Sequence, residues 1–233
     1  MPTTGRSGGG RTGTAWKAPT GGLINSSPVV VTAGGKRQLI VWAQDAVMSL
    51  DPATGKVYWR EKVKTAAASA VTTPVFYDGL LLVSGLMLRL DPEKPAASVL
   101  WPDSKAESRR TLSVTSSGLI QGGYVFSAKS SGELVCLEAT TGKQVWATDK
   151  VTKLGSGASI HLTPNGDGVF LHTDQGELIR AQLTGKGYKE VGRALLLAPT
   201  GKNKAWAAPA YANRHVFARN DQELVCVSLA AKP

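Results

Sequence analysis

From Ser116 to Lys150 the apolar and polar positions alternate in short bursts, SSGLIQGG, YVFSAK, SSGE, LVCLE, ATTG and KQVWATDK in succession. Brief runs rich in Val, Leu, Ile, Phe and Tyr, bounded by clusters of Gly, Ser, Thr and Glu, predict strands joined by tight turns. Four such runs make a four-stranded antiparallel unit. No window carries apolar residues at helical spacing between caps, so no helix longer than two turns is expected.

The unit recurs along the chain. LDPATGKVYW (Leu50–Trp59) and LEATTGKQVW (Leu137–Trp146) share an apolar residue, an acid, Thr-Gly-Lys and a Trp at identical offsets. Aligned on the acid, the equivalent positions are Asp51, Asp91, Glu138, Gln182 and Ser228, at spacings of 40, 47, 44 and 46. A second anchor falls at Pro28, Pro74, Gly118, His161 and Pro209, at spacings of 46, 44, 43 and 48. Two anchors advancing together define five repeats of about 45 residues. The Thr-Gly of each unit suits the turn between strands three and four, where Gly takes a positive φ at little steric cost. The Trp then returns the chain into packing between neighbouring sheets. Four-stranded units at this period predict an all-β fold, a β-propeller of about five four-stranded blades. The blades are expected near 24–63, 70–104, 114–150, 157–193 and 206–230, within a repeat region 14–233 that follows a flexible Gly-rich tail over 1–13.

Composition changes this picture little. Apolar residues make up 42% and charged residues 19%, enough for a sizeable core. The net charge of +10 is spread over nearly every inter-strand segment with no block of five basic residues, which predicts a solvated surface and no specific nucleic-acid site. No apolar run reaches the roughly 20 residues of a membrane span.

Candidate chemistry is sparse. Three histidines, His161, His172 and His215, are too scattered for a metal centre, although His161 and His172 could meet across neighbouring strands. The run PNGDG (Pro164–Gly168) has the composition of a calcium loop but lacks the distal Glu, and is expected to be a hairpin turn. Ser26-Ser27 and Ser116-Ser117 sit at blade entry, which marks them as structural. GRSGGGR near the N-terminus has no following helix and no Gly-Lys-Ser/Thr, so it is not a phosphate loop. No catalytic, cofactor-binding or metal-ligating residue is assigned.

The pattern acid-x-x-Thr-Gly-Lys-x-x-Trp resembles the tryptophan-docking motif of the PQQ-like, or quinoprotein alcohol dehydrogenase-like, propellers. Asp51, Thr54, Gly55, Lys56 and Trp59 match it, as do Glu138, Thr141, Gly142, Lys143 and Trp146. Asp91 and Trp101 keep the ends of the pattern around Glu-Lys-Pro-Ala-Ala, and blade four keeps Thr184-Gly185-Lys186 without a Trp. In wording the chain is most similar to the PQQ-like repeat proteins of planctomycete-type bacteria. The resemblance implies a periplasmic or secreted location; the chain as written carries no signal peptide, which would leave it cytoplasmic if complete. In the dehydrogenases of this family the cofactor site uses adjacent cysteines, a Trp floor, calcium held by Glu, Asn and Asp, and an Asp base. Cys136 and Cys226 are ninety residues apart, so that vicinal disulfide is not available here. The expectation is therefore a noncatalytic scaffold binding a protein or polymer partner at the rim or channel mouth, with no cofactor. The alternative is a PQQ-dependent alcohol dehydrogenase, or a relict or fragment of one. Cys136 and Cys226 are expected to be buried, reduced and far apart, and Trp59 and Trp146 to serve inter-blade packing.

Closure of the ring is the remaining question. Blade five, ending in LVCVSLAAKP, offers three strands, whereas Thr14-Ala15-Trp16-Lys17 reads as a fourth strand with no first three. These pieces could pair to seal a five-bladed ring. The preferred expectation is an open arc, a C-terminal portion of a seven- or eight-bladed propeller of the kind the resemblance implies.

Overall fold

The computed structural model describes residues 13–18, 25–63, 71–101, 112–155, 157–198, 200 and 205–230. The glycine-rich run 5–11 and most of the expected tail lie outside these residues. Every regular element in the described residues is a strand. Blade one comprises β1 (Val29–Ala33), β2 (Lys36–Trp42), β3 (Ala46–Leu50) and β4 (Val57–Lys62). Blade two comprises β5 (Val75–Tyr77), β6 (Leu80–Val83), β7 (Leu86–Leu90) and β8 (Ala97–Trp101). Blade three follows as β9 (Leu119–Gln121), β10 (Tyr124–Ala128), β11 (Leu134–Glu138) and β12 (Gln144–Thr148). Blade four is β13 (Ile160–Asn165), β14 (Gly168–Thr173), β15 (Glu177–Thr184) and β16 (Gly187–Leu195). Blade five contributes β17 (Ala210–Ala212), β18 (His215–Arg219) and β19 (Leu224–Ser228). Each sheet is an antiparallel meander in chain order, four-stranded in blades one to four and three-stranded in blade five.

The turn chemistry explains the meanders. The acid that opens the strand three to four turn caps it: the Asp51 carboxylate accepts from the Ala53 and Thr54 amides, and Asp91 accepts from Glu93 and Lys94. Tyr58 also donates to Asp51, and this bond, ahead of the two amides, holds the Asp51 carboxyl below its usual range. In blade three the acid is held differently, with Thr141 donating to Glu138.

A register shift recurs where strand four leaves this turn. It falls between Ser49 and Leu50, Met87 and Leu88, Cys136 and Leu137, and Arg180 and Ala181. The skipped residues on strand four are Tyr58, Leu100, Val145 and Val191, and the next residue is Trp59, Trp101, Trp146 or, in blade four, Gly192. Such bulges bend the strand and re-aim the following side chain. Gly192 therefore occupies the tryptophan position of blade four.

The core lies between sheets, because alternate residues of each strand face the preceding or the following blade. Blade one meets blade two through Ile40, Trp42 and Val47 against Leu81, Leu86 and Leu88. Blades two and three join through Leu82, Met87 and Trp101 against Val125, Val135 and Leu137. Blades three and four join through Phe126, Leu134 and Cys136 against Val169, Leu171 and Ile179. The buried apolar cluster at blades four and five is smaller, made of Leu197, Ala205 and Ala218.

Among the described residues the sheets do not close into a ring. Residues 13–18 form no strand, and among the described residues β19 pairs with β18 alone. Trp16 and Ala18 instead cover the free face of blade one, over Ala46, Met48 and Leu50.

Candidate functional site

The repeated tryptophans build one feature several times. Trp101 of blade two donates its indole N–H to the Ala139 carbonyl of blade three at 2.8 Å, and its ring lies on Gly142. Gly142 has φ +70, and a Cβ there would meet the indole at 2.7 Å, so both the turn and the contact require glycine. Trp146 of blade three donates to the Thr184 carbonyl of blade four at 2.8 Å. Trp16 donates to the Pro52 carbonyl of blade one at 3.1 Å and lies on Gly55. It thus occupies on blade one the seat that Trp101 occupies on blade three. Trp59 departs from the pattern: its N–H goes to Gln38 in its own blade, and the turn it would meet carries Lys94, Pro95 and Ala96 in place of Thr-Gly-Lys. Both Trp59 and Trp146 pack at inter-blade cores, but both are half-buried, whereas Trp101 is 5% exposed.

Serine side chains fasten the inner strands. Ser26 donates to the Thr72 carbonyl, Ser117 both donates to the Thr73 carbonyl and accepts its amide, and the Ile160 amide reaches Ser116. Each bond joins a blade to the next, so these serines are structural, as their recurrence implies. The Pro164–Gly168 run closes the β13–β14 hairpin, with Asn165 opposite Gly168. Among the described residues no group of three His, Cys, Asp or Glu is placed to hold a metal ion.

His161 and His172 do meet, as cross-strand partners with ring centroids 6.4 Å apart. His161 is hydrogen-bonded to the Trp206 carbonyl of blade five. His172 is fully buried with both ring nitrogens unpartnered. Burial, then the neighbouring His161, pushes its pKa down to about 4 against a weaker opposing pull from Asp174. These rings lie at the seam between blades four and five. A two-blade cleft of about 370 Å³ opens on the same seam, between the strand one to two hairpins. Its floor is the stacked pair Phe170 and Tyr211, with centroids 5.5 Å apart, and its rim carries Asn165, Asn213, Arg214 and His215. The Tyr211 hydroxyl is buried without a well-formed hydrogen bond, and burial raises its pKa to about 12. Asn213 and Arg214 both hold positive φ, at 49° and 60°, which for Arg is uncommon. The cleft presents an aromatic platform beside one guanidinium and two amides, an arrangement suited to a polypeptide surface.

The sequence profile of the family described as outer membrane protein assembly factor BamB, of the PQQ-like repeat class, matches residues 7–148 and 96–187. The chain belongs to this family. A BamB of Burkholderia pseudomallei (strain K96243) is 28% identical over 161 residues, 67% of this chain and 39% of that protein. The chain thus spans well under half of that relative. The crystal structure of BamB from Moraxella catarrhalis superposes with a TM-score of 0.58 at 16% identity, over 92% of this chain and 61% of that one. The quinohemoprotein alcohol dehydrogenase ADHIIG from Pseudomonas putida HK5 gives 0.61 at 14% identity, over 93% of this chain and 42% of its own. Both structural likenesses establish the PQQ-like propeller fold and nothing finer.

The two cysteines of this BamB-family chain are not adjacent, lying ninety residues apart. Both are free thiols. Cys136 is sealed under blade four, and burial raises its pKa to about 11. The indole N–H groups of Trp59, Trp101 and Trp146 donate within their own blade or to the next one. One expectation is corrected: Cys226 is exposed. It repeats the position of Cys136, but blade four covers Cys136 and no described blade covers Cys226. In dilute native protein a maleimide should modify Cys226 at once and Cys136 only after unfolding, as mass spectrometry of digests would show. Equal rates at the two thiols would overturn the assignment of faces.

Proposed function

We propose that the chain is a noncatalytic binding module of an envelope assembly machinery, contacting a protein partner through the cleft between blades four and five. One observation carries this reading: the likeness to a named outer membrane protein assembly factor extends to sequence, at 28% over 161 residues, while the dehydrogenase likeness rests on fold. A propeller seam with an aromatic floor and a polar rim is a surface that loops commonly lend to recognition. A periplasmic location accords with this role; among the described residues no helix is long and apolar enough to cross a membrane.

The test has two arms. In the first, protein incubated with PQQ and calcium is assayed for dye-linked alcohol oxidation, and turnover above a protein-free control would replace this reading with the dehydrogenase one. In the second, a tagged chain is crosslinked in bacterial envelopes from a photoreactive residue at Asn213, beside the cleft. The expected result is a discrete protein adduct that Arg214→Glu abolishes while the melting temperature is unchanged. Adducts insensitive to Arg214→Glu would remove the cleft from the proposal.

A further inference from the structure

The first two strands of every blade are joined by a two-residue loop, so the five loops compare position by position. They read Gly34-Gly35, Asp78-Gly79, Gly122-Gly123, Gly166-Asp167 and Asn213-Arg214. In blades one, two, three and five both loop residues hold positive φ, the conformation that hairpins of this length favour. Blades one to three meet it with glycine at the second position, at little steric cost. Blade four avoids it, keeping positive φ at Gly166 and not at Asp167. Blade five alone of the five holds a long side chain there, Arg214 at φ 60°.

A left-handed arginine costs folding energy that glycine would spare, and strain of this kind is concentrated at ligand contacts. Among the described residues the Arg214 guanidinium takes no hydrogen-bond or ion-pair partner. It stands on the rim of the cleft between blades four and five, and no carboxylate lines that cleft. Asp167, in the facing loop, pairs with Arg180 at 3.5 Å instead. On the floor, Phe170 and Tyr211 are half-buried and keep ring surface open.

We propose that the partner presents an acidic segment to this cleft, an aspartate or glutamate carboxylate pairing with Arg214 while a neighbouring apolar side chain rests on Phe170 and Tyr211. This rests on the cleft being a protein-binding site and adds the chemistry it selects. A planar guanidinium receives a carboxylate through two parallel hydrogen bonds. The net charge of +10 draws an acidic partner in from a distance.

Fluorescence anisotropy with two end-blocked synthetic peptides tests this, one alternating aspartate with phenylalanine and the other with asparagine in place of each aspartate. The acidic peptide should bind about ten-fold more tightly, by a margin that shrinks as salt is raised. Arg214→Gly, which suits the positive φ and should melt no lower than the parent, should erase the margin. Equal affinities for the two peptides overturn the proposal, as does a margin that Arg214→Gly retains. A lower melting temperature for Arg214→Gly also overturns it, because the arginine would then serve the fold. Loss of the peptide preference beside an intact, Arg214-dependent crosslink from Asn213 overturns the carboxylate assignment alone, whereas loss of that crosslink overturns the binding role on which it rests.

Discussion

Replacing Trp101 by Ala should lower stability by about 3–5 kcal/mol, the range for truncating a large buried aromatic. The indole is 5% exposed and its ring fills the space over Gly142, so its loss leaves a cavity that the positive-φ turn cannot collapse to fill. It also strands the Ala139 carbonyl, which receives the indole N–H at 2.8 Å. At this chain length the loss corresponds to a fall in melting temperature of roughly 6–20 °C. Trp59→Ala and Trp146→Ala should cost less, because both side chains are half-buried. The ordering is checked by urea denaturation of the three variants. A Trp101→Ala protein as stable as its parent would refute the seam as a source of stability.

Acid should weaken the protein through His172, and the sign follows from its depressed pKa. The unfolded chain binds a proton near the ordinary value of 6.5, whereas the buried ring does so near 4. Above pH 6.5 both states are neutral at this site and the contribution to stability is fully present. As pH falls from there toward 4 the unfolded state takes up the proton first, and about 3 kcal/mol is lost, at about 1.4 kcal/mol per unit. His161 adds to the loss in the same direction, since burial lowers its pKa too, against the opposing hydrogen bond to the Trp206 carbonyl. His172→Phe keeps a ring of similar shape without a titrating nitrogen. Its stability, measured by urea denaturation between pH 7 and 4, should fall less steeply than that of the parent. Parallel curves would exclude His172 as the origin.

Much of this architecture was legible because its determinants are local. The acid, the Thr-Gly and the returning Trp form one turn within ten residues, and their recurrence gave the period, the strand order and the tryptophan seams. The serine bonds were equally readable from their recurrence at blade entry. What escaped was set by the neighbouring sheet. Cys136 and Cys226 both end a Glu-Leu-Val-Cys run, yet one lies under blade four and the other is exposed. Trp101, in the copy that departs furthest from the motif, is the best buried of the three strand-four tryptophans, because Ala139 and Gly142 of the next blade decide its fate. Gly192 was hidden for a different reason: the longer β15–β16 hairpin displaces it from the offset at which the other tryptophans follow Thr-Gly-Lys. The cleft at Tyr211 and Arg214 needed two blades to exist, and neither hairpin announces it alone.

Gly192 has a consequence for how the molecule comes apart. Stability in a stack of repeats is a sum of unit terms and nearest-neighbour couplings, so cooperativity extends only as far as each coupling is strong. Without a tryptophan on strand four, blade four reaches blade five through a small apolar patch, the Phe170–Tyr211 stack and two histidines that acid makes unwelcome. Blades one to four are then expected to behave as one foldon and blade five as another, joined by a coupling that vanishes first. Backbone amides of β17 to β19 would exchange with solvent through a local opening that leaves the protection of β6 and β7 untouched, and the arc would unfold from that end inward, blade by blade, instead of in a single step.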